Sequence, residues 1–258
     1  ISFIAFIITS LAGSKMPKQS WIFPVVAILA GLLIYFLGLT EYLQSRFDLS
    51  HCVRETVTGM VSCNYSVEWF SVGAYAGDSV NSFIGFTVDP LSLSVAGLAI
   101  VVALMVQVYS IGYMKDDPRF SWYYSVQALF ISSMILLALS DNFLLLYVAW
   151  ELVGLCSYLL VGFWYEKPEA KEAAKKAFTV TRLGDVGLLI GILLIWFEVG
   201  SFNMSDLFSH IQSGELTSWM IFSISGLLFL GAMGKSAQFP FHVWLPDAME
   251  GPTPISEL

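Results

Sequence analysis

Four charged residues stand inside apolar runs long enough to cross a bilayer: Glu151, Arg182, Asp185 and Lys235. A charge at mid-bilayer costs on the order of 2.5–3.5 kcal/mol even on the lenient insertion scale, so such residues face one another or a wet cavity. Two acids and two bases sum to zero, as mutual facing requires. Arg182 and Asp185, three apart on one helix, share a face and can touch. They read either as a structural ion pair that lets the helix insert, or as an electrostatic element that biases the protonation of a neighbour. Glu151 has only Tyr147, Val148, Gly154 and Leu155 at helical spacing, so any charged partner lies on another helix. It is either a protonated, hydrogen-bonded link between helices or, beside a movable cation, a carboxyl able to load and release a proton. Gly154, one turn away, admits close approach of a helix or of water.

Lys235 lies about 24 Å along a helix from Trp219, at 1.5 Å per residue. It could snorkel to the interface, but the apolar run continues through FPFHVWL, interrupted by Pro240. Proline has no N–H, so the Ser236 carbonyl loses its helical donor and Phe239 is pushed from helical angles. A break just after an intramembrane lysine resembles the discontinuous helices that form ion sites in transporters. His242, two residues past the proline, reads as a capping or interfacial histidine, or as a proton relay. Trp21, Trp122, Trp164, Trp219 and Trp244 mark the interface ends of spans.

The elements that must position these residues are membrane helices. Of 258 residues 57% are hydrophobic and 12% charged, with mean hydropathy +0.73, where a soluble domain carries about 25% charged residues. A net charge of −8 with 12 Lys and Arg argues against nucleic acid. The three cysteines form no C-x-x-C pair, which speaks against zinc or an iron–sulfur cluster, and no glycine-rich nucleotide fingerprint is present. The expected fold class is all-α, a polytopic helix bundle over 1–258 forming one membrane domain. Its helices are expected at about 21–43, 88–113, 122–139, 143–164, 174–197 and 219–245, the last broken near 236–240. Ile1–Leu11 reads as part of a further helix, and 44–87 as a long extracytoplasmic loop. Cys52 and Cys63 in that loop form a disulfide if that side is oxidising. Asp89-Pro90 should cap the third helix, Ser140-Asp141-Asn142 should turn the chain back on itself, and Glu172 and Lys176 have i,i+4 spacing. Connections 12–20, 114–122 and 165–176 carry eight basic residues against two, Arg46 and Arg54, on the other side. That bias puts the first set in the cytoplasm and the N-terminus outside.

The stretches DNFLLLYVAWELVGLCSYLLVGFWY, TRLGDVG and GKSAQFPFHVWLPDAMEGPTP, with VDPLSL and YSIGYM before them, resemble the antiporter-like subunits of respiratory complex I. The match is strongest to the subunit L/chain 5 family and covers roughly residues 86–256. The resemblance implies an antiporter-like fold, truncated before the second inverted repeat of five helices, with Glu257 departing from the small apolar residue expected there. It implies that Glu151 and Lys235 form the ion pair of the proton-entry half-channel, with Asp185 and Arg182 modulating it. It implies a proton-translocating subunit of NADH:quinone oxidoreductase, part of an enzyme but performing no redox step. No cofactor is expected in this chain: NADH, FMN, iron–sulfur clusters and quinone would belong to partner subunits. The expected partners are the other membrane subunits of complex I, neighbouring antiporter-like subunits above all, with the lipid bilayer and protons. The expected location is a bacterial inner membrane, or alternatively an organellar one. Rival readings are the large subunit of a multisubunit Na⁺/H⁺ antiporter, a relative in a membrane-bound hydrogenase or inorganic-carbon uptake complex, and a structural membrane scaffold.

Overall fold

A computed structural model describes residues 1–13, 19–43, 52–54, 61–73 and 79–256. Along the chain run α1 (Ser2–Ala12), α2 (Ile22–Leu43), β1 (Cys52–Arg54), β2 (Val61–Gly73), β3 (Ser79–Val88), α3 (Pro90–Tyr113), α4 (Phe120–Leu139), α5 (Phe143–Val161), α6 (Pro168–Val199), α7 (Met204–Ser213) and α8 (Ser218–Lys235). Two 3₁₀ turns, Phe241–Trp244 and Asp247–Glu250, and the short α9 (Thr253–Ser256) follow. Among the described residues six helices, α2 to α6 and α8, are long and apolar enough to cross a membrane. The membrane-type helix bundle expected from the apolar runs is the fold observed, mostly helical with one small sheet beside it, and the chain is a membrane protein. Glu257 lies outside the described residues.

Local chemistry sets the ends of the helices. Asp89 caps α3 by accepting from Ser92 N at 2.7 Å while Ser92 Oγ accepts from Asp89 N at 2.8 Å, and Pro90 occupies the first turn. Asn142 caps α5 by accepting from Leu145 N at 2.7 Å. Helix α6 begins at Pro168, earlier than the 174 expected, because proline suits a first helical position and the Ala-rich stretch after it favours helix. On that stretch Glu172 pairs with Lys175 at 2.8 Å rather than with Lys176, which reaches Asp247 at 2.7 Å across the bundle. The amphipathic α7 was not foreseen; Leu207 on its apolar side is buried against α6 and α8.

Helices α6 and α8 meet at their backbones. A Cβ on Gly184 would lie 2.9 Å from the Leu230 carbonyl and 3.1 Å from the Gly234 Cα, and one on Gly234 would lie 3.3 Å from the Gly184 Cα. Small residues permit this approach, which dispersion rather than water exclusion stabilises in lipid.

The segment expected as a loop over 44–87 contains an antiparallel sheet in the order β1-β2-β3. Strands β2 and β3 pair from Cys63 opposite Val88 to Gly73 opposite Ser79. Cys52 and Cys63 are Cα partners in the β1–β2 register, Cys63 is disulfide-bonded, and the buried Cys156 is free. The sheet docks on the α4–α5 turn, where Asp141 N donates to the Gly85 carbonyl at 3.3 Å and Phe86 bridges to Ser140. The Asp141 side chain occupies the space a Cβ on Gly85 would need. On its other side the turn is held to the start of α7, with Met204 N on the Asp141 carbonyl at 3.3 Å and Phe143 N on the Phe202 carbonyl at 2.9 Å.

Burial pushes the Asp141 carboxyl above the usual carboxylate range, against the opposing hydrogen bond from Asn142 Nδ2 at 2.7 Å. The fold therefore favours the protonated acid. Asp141's contribution to stability is fully present below the unfolded value of about 4 and is lost as pH rises through the raised folded value. Asp141→Asn, which mimics the neutral acid, is expected to flatten the rise in protease sensitivity of the 44–89 segment as pH is raised above 4; an unchanged pH profile would contradict this docking.

Candidate functional site

Three helices bring the four intramembrane charges together. Glu151 comes from α5, Arg182 and Asp185 from α6, and Lys235 from the last residue of α8. The Arg182 guanidinium lies between the two acids. Its Nη1 forms an ion pair with Glu151 Oε2 and stands 3.4 Å from Asp185 Oδ2. Its Nη2 also approaches the Glu151 carbonyl at 3.5 Å, and its Cζ lies 4.5 Å above the Phe178 ring one turn earlier. Asp185 is 1% exposed and accepts a hydrogen bond from Trp150 Nε1 at 2.6 Å.

Lys235 does not pair with Glu151 here, contrary to the expectation from the sequence. Its Nζ donates to the Trp150 carbonyl and lies 4.9 Å from the centre of the Trp150 ring. The reason is reach and geometry. Arg182 offers a planar fork on a helix adjacent to α5 and takes the carboxylate, while Lys235, a point charge at a helix end, finds a carbonyl and an aromatic face. The two cations nevertheless converge. A Cβ on Gly154 would stand 2.9 Å from Arg182 Nη2 and 3.2 Å from Lys235 Nζ. Both cations thus occupy space that any side chain at 154 would fill, one turn along α5 from Glu151.

The break after Lys235 is real and local. Helix α8 ends there with Ser236 as its cap, Ala237 has a φ of 50°, and the Phe239–Pro240 peptide is cis. The Gly234 carbonyl, left without a helical donor, accepts from Trp244 Nε1 at 3.0 Å. Trp244 is therefore part of the break and not merely an interface marker. Beside the break lies a cavity of about 550 Å³ lined by Lys235, Trp150, Gly154, Thr181, Ser236 and Trp244 among others. Its wall continues through Ala248 and Met249, next to the Lys176–Asp247 ion pair. His242 is exposed and stacks on Phe239 at 5.8 Å between centroids. No hydrogen bond or ion pair among the described residues joins it to the four charges.

Trp150 is the site residue the sequence reading passed over. It serves Asp185 with its N–H and Lys235 with both its carbonyl and its ring. The signal was present: a tryptophan in mid-span, far from either interface, whose N–H must find a partner in the bundle.

The arrangement makes Arg182 the counter-ion of two carboxylates. Arg182→Gln should destabilise the assembled protein by about 3 kcal/mol, because it leaves buried acids unpaired. Adding Glu151→Gln should recover part of that loss, since neither group of the pair is then charged and alone. Thermal unfolding of the purified proteins checks the cycle, and additive losses would refute the pairing.

Two family models match the chain. One, described as NADH:quinone oxidoreductase/Mrp antiporter, TM, matches residues 140–258. The other, described as NADH-Ubiquinone oxidoreductase (complex I), chain 5 N-terminus, matches residues 69–124. NAD(P)H-quinone oxidoreductase subunit 5 of the Paulinella chromatophora chromatophore is 48% identical over 194 residues, taking in 74% of this chain and 28% of the relative. Chain 5 of the same enzyme from Picosynechococcus sp. is 39% identical over 263 residues, 93% of this chain and 39% of the relative. A chain in the structure of the Mrp complex from Dietzia sp. superposes with a TM-score of 0.77 at 28% identity, over 99% of this chain and 25% of that one. The chain thus spans well under half the length of the proteins it matches. By both matched segments, and by its likeness to the chain 5 proteins, the chain belongs to the NADH:quinone oxidoreductase/Mrp antiporter transmembrane family, on its complex I chain 5 (subunit L) side.

Proposed function

We propose that the chain is part of the antiporter-like, proton-translocating membrane subunit of an NADH:quinone oxidoreductase, and that its four-charge array is the proton-loading site. The observation that carries this reading is the convergence of Arg182 and Lys235 on the space at Gly154, beside a carboxylate that only one of them holds. In this reading Glu151 exchanges Arg182 for Lys235 as its partner, the two cations already meeting at Gly154. A group's hold on its proton depends on the charges facing it and on desolvation. Each exchange of partners therefore alters the field at Lys235 and at Glu151, and proton loading and release follow the exchange. Asp185, held by Trp150, stays beside Arg182 and gives it somewhere to return.

The cavity beside Lys235 is the access route for protons in this reading. Its wall runs from mid-bundle at Trp150 to Ala177 near the start of α6 and Lys235 at the end of α8, the side whose connections carry eight basic residues against two. That asymmetry supports a cytoplasmic placement for the cavity mouth and an N-terminus on the opposite side. The driving energy comes from NADH, FMN, iron–sulfur and quinone chemistry in partner subunits, with neighbouring antiporter-like subunits carrying the coupling along the membrane. The membrane is a bacterial inner membrane, or the corresponding energy-coupling membrane of an organelle.

The structural likeness to a chain of the Dietzia Mrp complex favours a second reading, the large subunit of a multisubunit Na⁺/H⁺ antiporter. One experiment separates the readings. Inside-out membrane vesicles carrying the full-length subunit in its native complex are energised with NADH, and proton uptake is compared between wild type and Glu151→Gln. We expect NADH-driven uptake in wild type, and uptake reduced to a small fraction in an assembled Glu151→Gln complex. Uptake driven by a sodium gradient and not by NADH would establish the antiporter instead. Normal pumping by the assembled variant would reduce Glu151 to a structural part.

A further inference from the structure

Away from the four charges, α3 and α4 enclose a second polar layer. Gln127 Nε2 donates to the Tyr123 hydroxyl at 2.8 Å, Tyr123 shares a 2.8 Å hydrogen bond with Ser110 Oγ, and Ser110 Oγ donates to the Val106 carbonyl at 2.7 Å. Tyr124 OH donates to the Gln107 carbonyl at 2.7 Å. Gln107, Ser110, Tyr123, Tyr124 and Gln127 are all 0% exposed.

The two helices run antiparallel. One turn back from Ser110 on α3 is Gln107, and one turn on from Tyr123 along α4 is Gln127, so the two carboxamides reach the same level. Three atoms of these carboxamides have no hydrogen-bond partner in the protein: Gln107 Nε2, Gln107 Oε1 and Gln127 Oε1. Buried polar groups in a bilayer are satisfied internally, so the layer needs an occupant. It carries no formal charge and presents one donor group against two acceptors. A single water molecule matches this donor and acceptor set, donating to both oxygens and accepting from the amide N–H, which gives the three bonds typical of a buried water.

We infer that α3 and α4 hold an internal water between Gln107 and Gln127. With it, the hydrogen bonds run continuously from Gln107 through the water, Gln127, Tyr123 and Ser110 to the Val106 carbonyl. Ending on backbone, this chain does not lead to Lys235; it fixes the register of α3 against α4 where lipid supplies no hydrogen bonds.

X-ray hydroxyl-radical footprinting of the full-length subunit in its assembled complex tests the inference, because radicals born from a bound water label the side chains beside it whatever their exposure to bulk. Tyr123 should be oxidised in the wild type, and severalfold more slowly in Gln107→Leu. Gln127→Met, which keeps the volume and removes the amide, gives the same comparison if the first variant fails to assemble. An unlabelled wild-type Tyr123, or labelling unchanged in either assembled variant, would mean that the two carboxamides meet directly and that no water is held.

Discussion

Contact between the backbones of α6 and α8 is the constraint on which the charged array depends. In a bilayer no water is expelled when two helices meet, so close packing must come from dispersion, and dispersion needs short distances. Gly184 on α6 and Gly234 on α8 supply them. Gly184 lies between Arg182 and Asp185 in the chain, and Gly234 immediately precedes Lys235. The residues that let the helices touch are therefore the sequence neighbours of the residues that carry charge. Gly154 does the same for α5, where its missing side chain is the room into which both cations extend. A methyl group at any of these positions would separate a charge from its partners as surely as a mutation of the charge itself.

Within that frame Arg182 and Lys235 have different work. A guanidinium is planar, always charged and forked, so it can serve Glu151 and Asp185 together while stacking on Phe178. An ammonium is a point charge on a flexible stem, suited to leave one partner for another. Trp150 makes this division possible. Its N–H holds Asp185 at the arginine's side, and its carbonyl and ring hold the lysine apart from the acids. One residue thus stabilises a state in which a carboxylate and an ammonium share a site without pairing.

Much of this was legible in the sequence, and the failures have physical causes. Apolar runs of bilayer length locate the spans, Asp89-Pro90 locates the start of α3, and Pro240 marks the break, because each depends on local chemistry. The four charges were visible because charge in an apolar run is expensive. Which cation Glu151 meets was not visible, since that is settled by the azimuth of α6 and α8 about α5, and a one-dimensional pattern carries no azimuth between helices. The glycines at 184, 187 and 191 of α6, facing Leu230 and Leu227 of α8, did encode that packing at helical spacing. Strands β2 and β3 were missed although VSCNYSVEWF is rich in β-branched and aromatic residues, because their hydrogen bonds join two segments that lie apart in the sequence. Helix α7 was missed because ten residues with one apolar side fall below the length by which a span is recognised.

The hydrogen bond from Trp244 to the Gly234 carbonyl has a mechanical meaning. It bolts the segment after the break to the helix end that carries Lys235, and the Lys176–Asp247 and Tyr113–Thr253 contacts fasten the same segment to α6 and α3. The lysine therefore stands at the tip of a short crank whose other supports belong to different helices. Any displacement of α3 or α6 relative to that segment would act on the ammonium through three polar fastenings and not through hydrocarbon packing alone. Such a linkage ties the position of the ammonium to the rim of the bundle, where those fastenings are made.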